Sequence, residues 1–382
     1  MTFCRTLLDQ PRQWRPRRWL FQIHLWAGVL TALYIMVASL TGSLLMLHGL
    51  FTPTGPRADV ARGERPVGPD AAVAALGRAL PGFRVGSLVP PPEDGGAYGG
   101  FLLSRGQFAF AEVHPVTAEI SRVVTRQNST WRFIEDLHNN LLSGRTGRIV
   151  NGVGGLSLTL MCFTGIVIWW PGRTRWTRGL RIDWSARWPR LLWDLHGAIG
   201  IWLLPLTLLI AVTGVYHTWP QWFRQPIAAV LPVTVPEPLR FPEAERQSPA
   251  RLEELLAAAR AAVPHKRVRA LQLPANPTEP VRAVMIRDGE RIQAFADMVV
   301  LHPTTAQVVR IERYADRPMG DRVIRWIGIL HGGRFAGWVS EVVWFMAGLA
   351  MAALAGTGVA VWCNRIVRKP VSTRGSQPGD ER

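Results

Sequence analysis

Residues 24–42 read HLWAGVLTALYIMVASLTG, and residues 196–214 read HGAIGIWLLPLTLLIAVTG. Each stretch opens on a histidine, places a glycine four residues later (Gly28, Gly200) and closes on Thr-Gly (Thr41-Gly42, Thr213-Gly214), at a constant offset of 172. Neither contains a charged residue, and each is close to the ~20 apolar residues that an α-helix needs to cross a bilayer. Two further uncharged runs, 149–172 and 342–364, share a second pattern. His138 stands six residues before Gly144 and well ahead of Thr164-Gly165, and His331 stands in the same register to Gly337 and Thr357-Gly358. With 25–50 and 195–223 these make four candidate spans, the first matching the third and the second matching the fourth. Because each half holds an even number of crossings, the repeats are expected to be parallel, related by a pseudo-twofold axis along the membrane normal.

Composition agrees with a membrane protein. The 382 residues are 48% hydrophobic and 19% charged, with a positive mean hydropathy, which excludes a disordered chain and is too apolar for a wholly soluble one. The net charge of +17 suits nucleic-acid binding, an anionic lipid surface or basic inner loops. Its placement decides among these: residues 1–18, 172–191 and 364–382 carry 16 Lys and Arg against four acids, whereas 51–137 is neutral. The positive-inside rule then puts both termini and the short loop in the cytoplasm, and nucleic acid is not an expected partner. The expected organisation is a cytoplasmic segment 1–18, a first span within 19–50, an outer region 51–137, an outer histidine segment and second span within 138–171, and a basic loop 172–190. A third span within 191–223, an outer region 224–330, a histidine segment and fourth span within 331–364, and a tail 365–382 complete it. Trp19, Trp26, Trp169, Trp170, Trp219, Trp222 and Trp362 at span ends fit interfacial belts.

Each outer region reads as a small α+β module. Helical spacing over 70–80 and 249–262 precedes strand-like runs over 101–113 and 281–301, which end in the turns His114-Pro-Val-Thr-Ala and His302-Pro-Thr-Thr-Ala. Pro- and Gly-rich stretches at 90–100 and 226–242 read as loops. The fold class expected is therefore an α-helical integral membrane protein with four transmembrane helices in two parallel repeats and two outer α+β modules.

Six of the nine histidines lie in or beside the spans: His24, His48, His138, His196, His217 and His331. One interfacial histidine is ordinarily a hydrogen-bonded side chain, but the repeat brings His24 opposite His196 and His138 opposite His331. No Cys or acidic partner recurs to complete a zinc site, and Cys4, Cys162 and Cys363 form no pair spacing. Bis-imidazole ligation in apolar surroundings suits haem iron, the porphyrin supplying the other four ligands, and the absence of CxxCH leaves non-covalent b-type haem, one per pair. His48 and His217 are secondary outer ligand candidates. Gly28, Gly200, Gly144, Gly147 and Gly337 leave room for a flat macrocycle or serve helix packing, and Arg145, Arg148 and Arg334 are candidate propionate contacts or solvated interfacial arginines. Twenty-four residues of helix from His24 to His48 cover roughly 36 Å, about a membrane thickness, so the two histidine layers are expected on opposite faces.

These motifs, His24-Leu-Trp-Ala-Gly28, Asp136-Leu-His138 through Gly144, Asp194-Leu-His196-Gly197 and Leu330-His331 through Gly337, resemble the PepSY-associated transmembrane family over about 17–366. The outer modules are similar to PepSY domains, although the turn usually written Asp-Pro-x-Thr-Gly begins with His and ends with Ala here. The resemblance implies an inner-membrane reductase of ferric siderophores of the ferrioxamine class, with two b-type haems and electrons passing from the cytoplasmic side to the periplasm. A siderophore permease, or a membrane sensor with merely structural histidines, are the alternatives. The absence of a glycine-rich dinucleotide fingerprint leaves the electron donor to a quinol, a reductase or another small reductant.

Overall fold

The computed structural model describes residues 9, 11–51, 67–91, 96–104, 107–235, 237–288 and 295–367. Most of the basic segments expected at 1–18 and 365–382, with Cys4, lie outside the described residues. The chain divides into two compact units, Met1–Leu40 with Gly154–Val212 and Met346–Arg382, and Thr41–Val153 with Thr213–Phe345.

Nine α-helices are present among the described residues: α1 (Pro16–Phe51), α2 (Pro69–Ala79), α3 (Thr130–Asn140), α4 (Gly144–Trp169), α5 (Trp188–Thr218), α6 (Pro220–Val230), α7 (Leu252–Ala262), α8 (Met319–Gly332) and α9 (Trp338–Val367). Four of them, α1, α4, α5 and α9, are long and apolar enough to cross a membrane. They are apolar all round, with no polar stripe to face water. Leu30 is 81% exposed, Leu33 74% and Trp202 69%. Leaving such a side chain in water rather than burying it costs about 1.5–3 kcal/mol, so hydrocarbon is the solvent that these surfaces fit. Pro205, inside α5, is tolerated as prolines in membrane helices generally are. The helices begin earlier than the uncharged runs: α1 takes Arg17 and Arg18 into its first turn behind Pro16, a residue whose fixed φ suits a helix start.

The second unit holds one antiparallel sheet of eight strands in the order β4-β3-β2-β1-β5-β6-β7-β8. Its strands are β1 (Arg84–Val89), β2 (Tyr98–Ser104), β3 (Gln107–Val113), β4 (Ile120–Val124), β5 (Arg267–Gln272), β6 (Val281–Ile286), β7 (Asp297–Leu301) and β8 (Val308–Glu312). The two expected modules are thus fused: β1 and β5 pair through Ser87 with Gln272 and Leu88 with Leu271. Strand alternation sends Leu88, Leu102, Val113, Leu271, Met285, Val299 and Leu301 to one face, where they are fully buried under α2 and α7. Gly100 is needed there, because a Cβ would sit 2.4 Å from Leu76 of α2. The halves are also tied by Asp70 at the start of α2, whose carboxylate accepts the Leu252 N–H at 3.1 Å and so caps α7. The loop expected over 226–242 is partly helical, since α6 opens on Pro220 and carries Pro226 inside it.

The turns after β3 and β7 are held by histidine where the family pattern has aspartate. His114 Nδ1 accepts the N–H groups of Val116 and Thr117, both at 3.3 Å, and His302 Nδ1 accepts those of Thr304 and Thr305. On its other side His302 meets Glu243 at 3.1 Å. A backbone bond within Glu243 and this imidazole hold the Glu243 carboxyl below the usual carboxylate range. Ala118 and Ala306 take left-handed conformations, φ 56 and 55, at the positions where the pattern has glycine.

Candidate functional site

His138 and His331 do not belong to the long helices. Each lies at the end of a short helix, α3 or α8, that turns sharply into the next span. Ser129 caps α3 by accepting the Arg132 N–H; left-handed Leu141 and Leu142 end it, and Gly144, φ 57, opens α4. Gly333 and Gly337, both φ 63, do the same between α8 and α9. Gly147 permits the first break, since a Cβ there would lie 1.6 Å from the Asn140 carbonyl oxygen. Gly144, Gly147 and Gly337 therefore shape chain reversals.

The helix α3 is anchored on the sheet at β3, and α8 on the segments that flank β7 and β8. The Arg132 guanidinium lies 5.5 Å over the Phe108 ring while bonding Glu135 at 2.9 Å and Asp136 at 3.3 Å. On α8, Trp326 packs 5.6 Å from Phe295 and Arg322 lies 5.8 Å over Tyr314. Burial, then the neighbouring Arg317, holds the Arg325 guanidinium of α8 below the usual arginine range.

Each of the four repeated histidines is held through Nδ1 by the threonine of a Thr-Gly pair. His24 meets Thr164 at 2.9 Å, His196 meets Thr357 at 3.1 Å, His138 meets Thr41 at 3.1 Å and His331 meets Thr213 at 3.2 Å. The Thr164 hydroxyl donates its one proton to the Leu160 carbonyl at 3.0 Å, and that of Thr357 to the Ala353 carbonyl at 2.9 Å. Each must then accept from its histidine, so the imidazole proton sits on Nδ1 and the Nε2 lone pair is left for a ligand. The glycine beside each threonine makes room for the ring. A Cβ on Gly42 would lie 3.0 Å from His138 Cε1, on Gly214 3.1 Å from His331 Cε1, on Gly358 3.2 Å from His196 Cε1, and on Gly165 3.4 Å from His24 Cε1.

The clasp crosses between helices. His24 of α1 is held by Thr164 of α4, and His138, before α4, is held by Thr41 of α1; α5 and α9 exchange His196 and His331 in the same way. These eight residues account for the recurrence of Thr-Gly in the sequence, which had marked the repeat without showing what the pairs touch.

Within the first unit the rings of His24 and His196 lie 6.3 Å apart, centre to centre, at an interplanar angle of 83°. Within the second, the rings of His138 and His331 lie 6.2 Å apart at 35°. Two imidazoles sharing one metal in line need about 6.2 to 6.4 Å between centres, from metal–nitrogen bonds of about 2.0–2.1 Å and about 1.1 Å from ring centre to nitrogen. Both pairs match this span. Among the described residues no cluster of three or more His, Cys, Asp or Glu is placed to hold a bare metal ion, and each pair offers two imidazoles.

The first-unit pair lines a cavity of about 1180 Å³ that also takes in Gly28, Gly165, Gly200 and Gly358. Gly28 additionally faces the Met161 methyl, where a Cβ would come to 3.3 Å. Of the secondary candidates, His217 packs edge-on against His331 at 5.1 Å, whereas His48 packs against Trp131 at 5.2 Å. Arg334 donates to the Leu45 carbonyl at 3.0 Å, and the Arg148 carbonyl accepts from Thr218.

Comparison with known proteins finds one family, described as the PepSY-associated TM region, matching residues 21–365. The chain is also 40% identical over 84 residues to an uncharacterized protein of Pseudomonas aeruginosa, a match covering 21% of this chain and 19% of that relative. The chain thus aligns with about a fifth of that relative's length. The family match spans most of the chain, and the chain belongs to the PepSY-associated membrane proteins.

Proposed function

We propose that this PepSY-family membrane protein is a di-haem electron carrier of the FoxB-like ferrisiderophore-reductase type. It is a four-span protein of the bacterial inner membrane built as two parallel repeats, with the sheet unit in the periplasm and both termini in the cytoplasm. One b-type haem is held by His24 and His196 and a second by His138 and His331. Electrons enter on the cytoplasmic side and reach a ferric hydroxamate chelate in the periplasm.

The observation that carries this reading is the geometry of the two pairs: separations of 6.3 and 6.2 Å, with Nδ1 of every ring engaged by a threonine. Haem, when bound, supplies reversible one-electron chemistry at its iron. The protein's own part is positioning. The threonines fix tautomer and ring orientation, as the partners of ligating histidines generally do. The glycines beside them admit the rings, and the apolar spans keep water from the ligands.

At the substrate, one electron converts Fe(III) to Fe(II), and hard hydroxamate oxygens hold the reduced ion far less tightly, so the metal leaves. No nucleophile or acid–base pair is required. The sequence charge pattern, basic in the short segments and neutral in 51–137, supports the orientation. Mixing the reduced protein with ferric ferrioxamine under anaerobic conditions tests the activity. Reoxidation of the haem bands with matching Fe(II) capture by a ferrous chelator is expected, and bands that stay reduced would refute it.

A further inference from the structure

The cavity at His24 and His196 is large and basic. Its volume of about 1180 Å³ lies above the roughly 300–1,000 Å³ of a pocket for a drug-sized ligand. Seven arginines line it against two acids, Asp9 and Asp194. Two haem carboxylates would leave a clear positive surplus.

Three of these arginines form a built array. Arg175, Arg178 and Arg181 begin, punctuate and end the 3-10 turn Trp176–Leu180, whose backbone bonds run from Arg178 N–H to Arg175 and from Arg181 N–H to Arg178. Only Arg178 lies within the turn, Arg175 and Arg181 flanking it with non-helical backbone, and all three side chains line the cavity. The turn is clamped in place: Trp169 Nε1–H donates to the Gly179 carbonyl at 2.8 Å, and Gly179 lies so close to the indole that a Cβ would meet it at 2.7 Å. Among the described residues none of the three has an acidic partner, whereas Arg190 is paired with Asp194 and Arg365 lies over Phe21. Three guanidinium groups lining one cavity mouth without a counter-charge favour an anion among them. Trp169, Trp193 and Phe21 supply aromatic walls to the same cavity.

We propose that this mouth binds the electron donor, a reduced flavin mononucleotide, with its phosphate on Arg175, Arg178 and Arg181 and its ring system against the aromatic wall. The inference rests on the di-haem reading for its purpose, because haem iron takes one electron at a time. A dihydroflavin releases two electrons singly together with two protons, whereas a nicotinamide releases a hydride and cannot serve a one-electron acceptor directly. Each flavin oxidised would reduce two ferric ions downstream, and its protons pass to water at the mouth.

The test uses the purified full chain in phosphatidylcholine nanodiscs and follows the fluorescence of oxidised flavin mononucleotide, a readout that needs no haem. Saturable quenching is expected, at least tenfold tighter than for riboflavin, which lacks the phosphate, and competed by inorganic phosphate. The triple variant Arg175→Gln, Arg178→Gln, Arg181→Gln should lose it by tenfold or more while keeping its haem content. Equal binding of riboflavin, unchanged binding in the variant, or abolition of binding in phosphatidylglycerol nanodiscs overturns the proposal, the last by giving the arginines to lipid headgroups. Haem loss in step with the substitutions also overturns it, because the arginines would then be holding the propionates. Flavin bound to a chain with no haem bands would instead refute the di-haem reading and leave the flavin site standing.

Discussion

Replacing Thr357 by valine removes one hydroxyl and leaves the side-chain shape nearly unchanged. In the native arrangement that hydroxyl accepts from His196 Nδ1 at 3.1 Å and donates to Ala353 at 2.9 Å. The valine takes the hydroxyl acceptor away and leaves His196 its bond to the Leu354 backbone, a loss of about 0.5–1.5 kcal/mol. It also frees the ring to rotate and to change tautomer, which takes the Nε2 lone pair off the axis shared with His24. Loss of such a partner typically lowers metal-site affinity about 10- to 100-fold, and at about 1.4 kcal/mol per tenfold the lost bond accounts for the lower end of that range, the freed ring orientation supplying the rest. The assay is transfer of haem from the protein to excess apomyoglobin, with haem per chain measured before transfer. Thr357→Val should release one of two haems 10 to 100 times faster than wild type, while Thr357→Ser, which keeps the hydroxyl, should stay within a few-fold of it. Equal retention in Thr357→Val and wild type, or equal loss in the serine variant, refutes the role assigned to this clasp.

Alanine at the clasp glycines should act in graded fashion: Gly42→Ala, whose Cβ would lie 3.0 Å from His138, weakens haem retention at the outer pair, and Gly165→Ala, at 3.4 Å from His24, leaves haem content near wild type. Haem quantitation of the two variants checks this order. The interplanar angles of 83° and 35° predict two distinct low-spin ferric signals in electron paramagnetic resonance, a strongly axial one from the nearly perpendicular pair and a rhombic one from the more nearly parallel pair; two identical rhombic signals would contradict the geometry. Ala306→Gly relieves a left-handed alanine that costs about 1–2 kcal/mol and should slow amide exchange of β7 and β8, with faster exchange counting against it.

The histidine pairs could be read in the sequence because the repeat keeps His, Gly and Thr-Gly in register at an offset of 172 for one pair and 193 for the other, and a shared register between halves predicts apposition without any structure. The clasp was half legible. Thr164 and Thr357 were visible as repeat markers, but His24 lies 140 residues from Thr164, and nothing in local periodicity says that a histidine will meet the threonine of the next helix and not that of its own. The fused sheet was not legible. Arg84–Val89 and Arg267–Gln272 mix charged and small residues among few apolar ones, so they read weakly as strands. They gain their identity from pairing with each other across the chain. α6 was hidden because 220–223 read as the end of the third span and Pro226 as the start of a loop; Pro220 suits a first helical turn, whereas Pro226 lies inside the helix. His48 and His217 looked equivalent by depth, and only packing separates them, one against Trp131 and the other against His331.

The most direct test of the central claim is a reduced-minus-oxidised absorbance spectrum of the purified protein with haem counted per chain, repeated on His196→Ala and His331→Ala. Two low-spin b-type haems per chain in wild type, with each variant losing one and keeping the other, is the predicted result. A wild-type protein without haem bands, or variants that retain both haems, would contradict it.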